Sequence, residues 1–291
     1  MKILDCTIRD GSYATNYRWE PDIIQHIVRW LSEQGVSYIE IGNGTGLGAY
    51  RKFENAMSDD EYFQYAIPSK GTANIGAFFM PNVGTKDDIL RLSDAGADFV
   101  RIGVNATETE RAYEYIEYAK SLGLYVFTFF MKTYAISNYQ FVLSTQRLIE
   151  HQTDAIYIVD SAGCMLPSQV YKLVSDIRSF YDIPVGFHGH NNLLLANANS
   201  LAAAEAGAEF IDATLGGLGR GAGNAQLESL VAILQKAGYV SGDTNIYDLS
   251  DLYEQTIARR YNASVKGSSK REISEGATHF HSLFTGILER T

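Results

Sequence analysis

The sequence predicts a closed (β/α)8 TIM barrel, on three observations. Short apolar runs and helical patterns alternate along the chain eight times. The runs are continuously apolar rather than alternating, as strands buried on both faces must be. The length, 291 residues, suits one such barrel, which typically needs about 250. Strict alternation and an even strand count favour closure over an open, doubly wound sheet.

Each element follows in order. Residues 2–7 form the first apolar run, and 22–34 have helical periodicity. The second strand is expected at 38–41, with a helix at 59–67. The third covers 74–79 with a helix at 86–95, and the fourth 99–104 with a helix at 108–122. The fifth covers 125–130, then 138–151; the sixth 155–159, then 167–181. The seventh covers 185–187, then 194–206; the eighth 210–214, then 225–237. Gly35, Gly96, Gly123, Gly207 and Gly238 follow helical patterns, where glycine supplies the left-handed residue after a helix cheaply. Beyond Tyr239 lie a helical pattern at 246–263, a polar stretch at 266–271 and an apolar segment at 279–288. With no low-complexity linker, 1–240 reads as the barrel catalytic domain. Residues 241–291 read as a C-terminal helical extension packing on it.

Composition narrows the function classes. Hydrophobic residues are 46% and charged residues 20%, as in an ordinary soluble globular protein. The formal charge of −10 argues against nucleic acid and anionic membranes as partners, since both call for a basic face. Cys6 and Cys164 are the two cysteines, too few for a disulfide framework and suited to a reducing compartment. No apolar run approaches the roughly 20 residues of a membrane span. The N-terminus lacks a signal-peptide core, so a cytoplasmic protein is expected.

Active sites of such barrels lie at the C-terminal ends of the strands. The sharpest feature there is His188-Gly189-His190. Residues two apart on a strand point the same way, and two inward imidazoles make poor core residues. Asp10, ending the first strand on the same rim, completes a two-histidine, one-carboxylate set. That set leaves open coordination positions for a chelating substrate. An H-x-H alone also occurs as a buried, hydrogen-bonded pair; the strand-end context favours the metal. Arg9 beside Asp10 is suited to stabilise negative charge on an enolate oxygen. Glu40, inside an apolar run, needs a cationic partner, with Arg9 and Arg101 as candidates. Glu40 and Asn43, on the second strand and at its end, are placed among the substrate-binding residues. Asp160-Ser161-Ala162-Gly163 offers small residues against which a carboxylate can sit. The glycine-rich loop 216–224 reads as a mobile substrate loop, with Asn224 near the metal. His279 and His281 in the tail are candidate general bases if the tail folds over the mouth. Cys164 is taken as packing.

With these residues placed, the chain resembles the HMG-CoA-lyase-like (DRE-TIM) metal-dependent lyase and aldolase superfamily. Asp5-Cys6-Thr7-Ile8-Arg9-Asp10-Gly11 resembles its D-x-T-L-R-D-G signature. Gly186-Phe187-His188-Gly189-His190-Asn191-Asn192 resembles its H-x-H-N strand, and Leu218 to Asn224 its glycine loop ending in asparagine. Within the superfamily it is most similar to the 4-hydroxy-2-oxovalerate aldolase branch, whose segment order is matched from Ile39 to Gly48, Val159 to Gly163 and Ala206 to Asn224. The resemblance implies Asp10, His188 and His190 as ligands of Mn2+, with Mg2+, Co2+ and Zn2+ as alternatives. It implies Arg9 at the enolate oxygen and Ser161 near the substrate carboxylate. Where that branch has a histidine base, three residues after the motif aspartate, this chain has Tyr13. A phenol with pKa about 10 is a poor base at neutral pH. Either Tyr13 relays a proton, or His279 or His281 takes over, or the substrate differs. The glycine-loop cysteine of HMG-CoA lyases is absent, with Gly221 near its place, so HMG-CoA lysis is not expected.

The expected function is a divalent-metal-dependent aldolase, a carbon–carbon lyase. It would form or cleave a 4-hydroxy-2-oxo acid through a metal-bound pyruvate-type enolate and an aldehyde. The alternative is a Claisen-type synthase joining an acyl-CoA to a 2-oxo acid, as isopropylmalate-synthase-like relatives do. A third reading is a barrel that binds metal but has lost turnover through Tyr13. The expected partners are the small-molecule 2-oxo acid and aldehyde. The short tail argues against an aldehyde dehydrogenase partner, and a homo-oligomer is left open.

Overall fold

The apolar runs form eight parallel strands that close in chain order. They are β1 (Lys2–Asp5), β2 (Tyr38–Ile41), β3 (Asn74–Phe79), β4 (Phe99–Asn105), β5 (Tyr125–Met131), β6 (Ala155–Asp160), β7 (Val185–Gly189) and β8 (Phe210–Ala213). Closure is made by β1 against β8, with Lys2 opposite Phe210 and Asp5 opposite Ala213. The structure is a computed structural model and describes residues 1–241, 244–263 and 267–279. The outer layer comprises α1 (Pro21–Glu33), α2 (Asp59–Ala66), α3 (Lys86–Asp94), α4 (Tyr113–Ser121), α5 (Asn138–Glu150), α6 (Pro167–Phe180), α7 (Ala196–Glu205) and α8 (Leu227–Lys236). The five glycines after helices all have positive φ, between 78° and 93°, the left-handed conformation that ends a helix without a Cβ clash.

The barrel interior is aromatic. Phe127 packs edge-on against Phe210, Phe99 and Tyr38, with ring centroids 5.1, 5.4 and 5.9 Å away. Large rings fit because facing positions are empty. A Cβ on Gly103 would lie 2.3 Å from the Phe78 ring, and one on Gly186 2.4 Å from Tyr157. This filled lower tier leaves the C-terminal mouth as the open end, which is where a substrate must enter.

Three local expectations are corrected. β1 stops at Asp5, and Thr7–Asp10 is a helical turn rather than the strand's end. The Asp5 carboxylate accepts from Thr7 N at 2.8 Å and Thr7 Oγ1 at 2.7 Å, bending the chain out of the sheet. The helix expected from Glu108 starts at Tyr113 after a tight turn at Thr109–Ala112, because Glu108 is non-helical (φ −140°, ψ 41°). The polar stretch at 266–271 runs into a helix, α10 (Lys270–Ala277), capped reciprocally by Ser269 and Glu272. Its face buries only Glu275 and Gly276, too little apolar surface to leave a hydrophobic period in the sequence. Before it, α9 (Ile246–Leu252) continues through a π-helical turn (Tyr253–Ala258) to Arg259–Tyr261. Of the expected apolar segment at 279–288, residues 280–288 lie outside the described residues. Among the described residues no helix is long and apolar enough to cross a membrane.

Candidate active site

Asp10, His188 and His190 converge at the mouth. One ligand atom from each lies within 4.8 Å of the others, and all three side chains are buried. Asp10 comes from the helical turn after β1, and His188 from the end of β7. His190 lies one residue past β7, its backbone N–H donating to Asp160 O at 3.2 Å. The imidazole Nδ1 atoms face oxygens that can only accept: His188 faces Asp212 Oδ2 at 2.8 Å, His190 faces Gly223 O at 3.2 Å. Each Nδ1 therefore carries a hydrogen, which in the neutral imidazole leaves the lone pair on Nε2, the tautomer a metal needs.

A buried ion network supports this trio. Arg9 Nε donates to Glu40 Oε2 at 2.7 Å and Arg9 Nη1 to Asp10 Oδ1 at 2.8 Å. Arg101 Nη1 donates to Glu40 Oε2 at 3.2 Å and Nη2 to Asp212 Oδ2 at 2.6 Å. The Arg101 guanidinium lies over the Phe129 and Tyr157 rings, 4.4 and 4.3 Å from their centroids. Burial pushes Asp10 up, but Arg9, the two histidines and the Asn224 amide outweigh it and hold its carboxyl well below the usual range. Asp212 is likewise held down, its burial outweighed by Arg101 and His188. Burial disfavours charge on Arg9, yet Glu40 and Asp10 keep it cationic. Within the network two guanidiniums face three carboxylates, Asp10, Glu40 and Asp212. That excess negative charge, buried, is what a divalent cation would neutralise.

The other predicted residues divide. Tyr13 and Ser161 line the same cavity as Arg9, Asp10, His188 and His190. Ser161 Oγ accepts the Lys132 N–H at 2.9 Å, leaving its own O–H to donate. Burial, then Asp10, push the Tyr13 phenol up, so it stays protonated. Its ring lies against Gly44, where a Cβ would come within 2.4 Å. Asn224 Nδ2 donates to Asp10 Oδ2 at 2.5 Å and Leu218 O at 3.1 Å, while its Oδ1 is buried without a protein partner among the described residues. Glu40 sits beneath the cavity holding both arginines, and Asn43 donates to Met57 O at 2.9 Å. The cavity lining passes instead through Gly44 and Thr45. The expected direct substrate contacts of Glu40 and Asn43 are thus corrected on position: neither lines the cavity, although Glu40 Oε1 and Asn43 Oδ1 are buried without a protein partner among the described residues. His279 is also corrected as a base. It is exposed, 5.9 Å from the Tyr134 ring, and does not line this cavity. His281 lies outside the described residues.

Arg220 was not anticipated. It lines the cavity, donates from Nη2 to Ser161 O, and burial lowers its pKa. Its signal was being the one charged residue in a loop of glycines. Asp160 accepts from Cys164 N and Met165 N, both at 2.9 Å, and so fixes the turn that presents Ser161. Cys164 packs there with its Sγ 3.5 Å from Asp160.

Fold and site together define a TIM-barrel enzyme with a candidate metal centre at its mouth. The HMGL-like family model matches residues 1–256. A 4-hydroxy-2-oxovalerate aldolase of Carboxydothermus hydrogenoformans is 36% identical over 260 residues, covering 89% of this chain and 77% of that protein. An oxaloacetate decarboxylase of Mycobacterium tuberculosis is 38% identical over 284 residues, covering 97% and 82%. Among solved structures, the N-terminal domain of an inferred aldolase from Bacteroides vulgatus superposes with TM-score 0.81 at 28% identity, covering 97% of this chain and 94% of that one. The carboxyl transferase domain of Rhizobium etli pyruvate carboxylase superposes with TM-score 0.82, covering 93% and 49%, and at 18% identity shows the fold alone. The chain belongs to the HMGL-like family and is a carbon–carbon lyase.

Proposed function

We propose that this chain forms or cleaves a 4-hydroxy-2-oxo acid through a pyruvate-type enolate, with an aldehyde as the second substrate. The observation that carries the reading is the Arg9 guanidinium. Its Nε and Nη1 are anchored on Glu40 and Asp10, and its Nη2 is buried without a protein partner among the described residues. A preorganised donor of this kind, in the cavity of the Asp10–His188–His190 trio, suits an oxygen that gains negative charge. Asp10, His188 and His190 would hold a divalent ion, with Asn224 Oδ1 beside them. The ion would supply Lewis acidity toward the 2-oxo group, and imidazole with carboxylate donors suits Mn2+. Ser161 would donate to the substrate carboxylate. Residues 1–240 are assigned as the catalytic unit, since every residue lining the cavity falls there. The two free, buried thiols suit a reducing cytoplasm.

A second reading, β-decarboxylation of a 2-oxo diacid, is favoured by Tyr13. Aldol cleavage needs a base to take the 4-hydroxyl proton, and a protonated phenol is not one. Decarboxylation needs no base. The C3–C4 bond breaks, its electrons pass into the enolate, carbon dioxide leaves, and C3 takes up a proton that Tyr13 can deliver. The oxaloacetate decarboxylase relative fits this reading.

The test is methyl-proton exchange of pyruvate in D2O with Mn2+, alongside turnover of 4-hydroxy-2-oxovalerate and oxaloacetate. Metal-dependent exchange that disappears in His190→Ala is expected. Tyr13→His should raise aldol cleavage relative to decarboxylation, because it places a base beside Asp10. Absence of exchange in the metal-loaded wild type would sink the enolate mechanism.

A further inference from the structure

A second cleft opens at the C-terminal ends of β3, β4 and β5. It is lined by Asn82, Gly103, Asn105, Glu108 and Arg111, and shares Met80 and Met131 with the cavity of the metal trio. Nothing in the chemistry above uses its polar groups. Asn105 Nδ2 donates to Glu108 Oε2 at 3.2 Å. A carboxylate can only accept, so the amide orientation is determined and Oδ1 must face away from Glu108. That Oδ1 is buried and has no protein partner among the described residues, a condition native structures rarely leave uncompensated. Arg111 Nη1 lies 3.6 Å from the same Glu108 oxygen, at the half-exposed edge.

We propose that this cleft is the acceptor subsite, and that it takes an α-hydroxyaldehyde. The proposal rests on the aldolase reading and names its second substrate. An aldehyde carbon attacked by the enolate must lie beside the metal trio, and the two methionines are the wall it would share with the cleft. Methionine side chains are unbranched and adaptable, so a short chain can pass between them. The hydroxyl next to the carbonyl then donates to Asn105 Oδ1. An alkyl aldehyde would bury that oxygen against carbon and leave it without a donor. An anionic substituent would face the Glu108 carboxylate. The chemistry of the cleft therefore selects a neutral hydroxyl group.

The experiment compares glycolaldehyde with acetaldehyde as acceptors for pyruvate in the Mn2+-loaded protein, with product quantified by NMR. The wild type is expected to prefer glycolaldehyde about ten-fold in kcat/KM, within the range that leaving one buried acceptor unpaired costs. Asn105→Ala should bring the ratio close to unity. Glu108→Gln, a conservative change at a partly exposed position, should also lower it, because a glutamine amide can donate as well as accept and so lets the Asn105 amide flip, turning Oδ1 toward residue 108 and away from the cleft. A wild-type ratio at or below one, or a ratio that neither substitution moves, overturns the subsite while leaving the aldolase reading intact. Exchange of pyruvate protons with no aldol product from either aldehyde overturns the aldolase reading, and the subsite with it.

Discussion

Replacing Asp212 by asparagine tests how the site is held together. Asp212 Oδ2 accepts from Arg101 Nη2 at 2.6 Å, faces His188 Nδ1 at 2.8 Å and lies 3.4 Å from the Cys6 thiol. Its second oxygen is buried without a partner among the described residues. The substituted side chain could keep one carbonyl toward Arg101 and His188, but the charge is lost and its amide nitrogen takes the unpartnered position. Breaking a buried ion pair costs about 3–5 kcal/mol. Arg101 retains Glu40 at 3.2 Å, which places the expected loss at the lower end, about 3 kcal/mol. At about 2–4 °C per kcal/mol for a chain of this size, the melting temperature should fall by about 6–12 °C. His188 also loses the carboxylate that sets its tautomer, and such changes weaken metal binding about 10–100-fold. Thermal unfolding and titration with Mn2+, following free ion by electron paramagnetic resonance, read both effects. Glu40→Gln is the control: it loosens Arg101 and Arg9 without touching His188, so it should destabilise similarly and weaken Mn2+ less. If Asp212→Asn melts lower but binds Mn2+ as the wild type does, Asp212 is only an anchor for Arg101. The tautomer reasoning is then wrong.

Two further outcomes are expected. Gly223 has φ 86°, and a Cβ there would lie 2.0 Å from Gly217 O. Gly223→Ala should therefore destabilise the protein by about 1–3 kcal/mol and weaken Mn2+ binding, since the same residue supplies the carbonyl facing His190; urea unfolding and Mn2+ titration unchanged from wild type would refute this. Asp59 is held by burial at a pKa of about 6, only partly offset by the Gly48 N–H at 2.7 Å. Its proton is kept by the folded state and released by the unfolded chain near its ordinary value of 3.8. Relative to Asp59→Asn, the wild type should lose about 2.4 kcal/mol as pH rises from 4 to 7.5, most of it by pH 6 and almost nothing above pH 7. Paired urea midpoints at pH 4 and 7.5 check this, and a pH-independent difference would refute it.

How much of this was legible in the sequence follows from what each feature depends on. The strands and their order show because burial on both faces demands unbroken apolar runs such as Phe99–Asn105 and Tyr125–Met131. Helix ends show because a left-handed residue calls for glycine, as at Gly96 and Gly207. The Asp10, His188 and His190 trio is readable because strand-end position translates directly into convergence at a barrel mouth. What stayed hidden depends on contacts between segments far apart in the chain. Nothing local to Glu40 says that Arg9 and Arg101 share it, or that Asn43 turns to the Met57 carbonyl rather than to the cavity. Helix α10 hides because it buries almost no apolar surface, and Arg220 because loop residues take their place from the fold around them. The barrel and the residue types at its mouth rest on short-range periodicity and on strand ends, and so are written locally along the chain. Which oxygen faces each imidazole nitrogen, and which nitrogen of Arg9 and oxygen of Asn105 are left over, are not. Hydrogen-bond partnerships between residues separated by tens to hundreds of positions exist only once the barrel has closed.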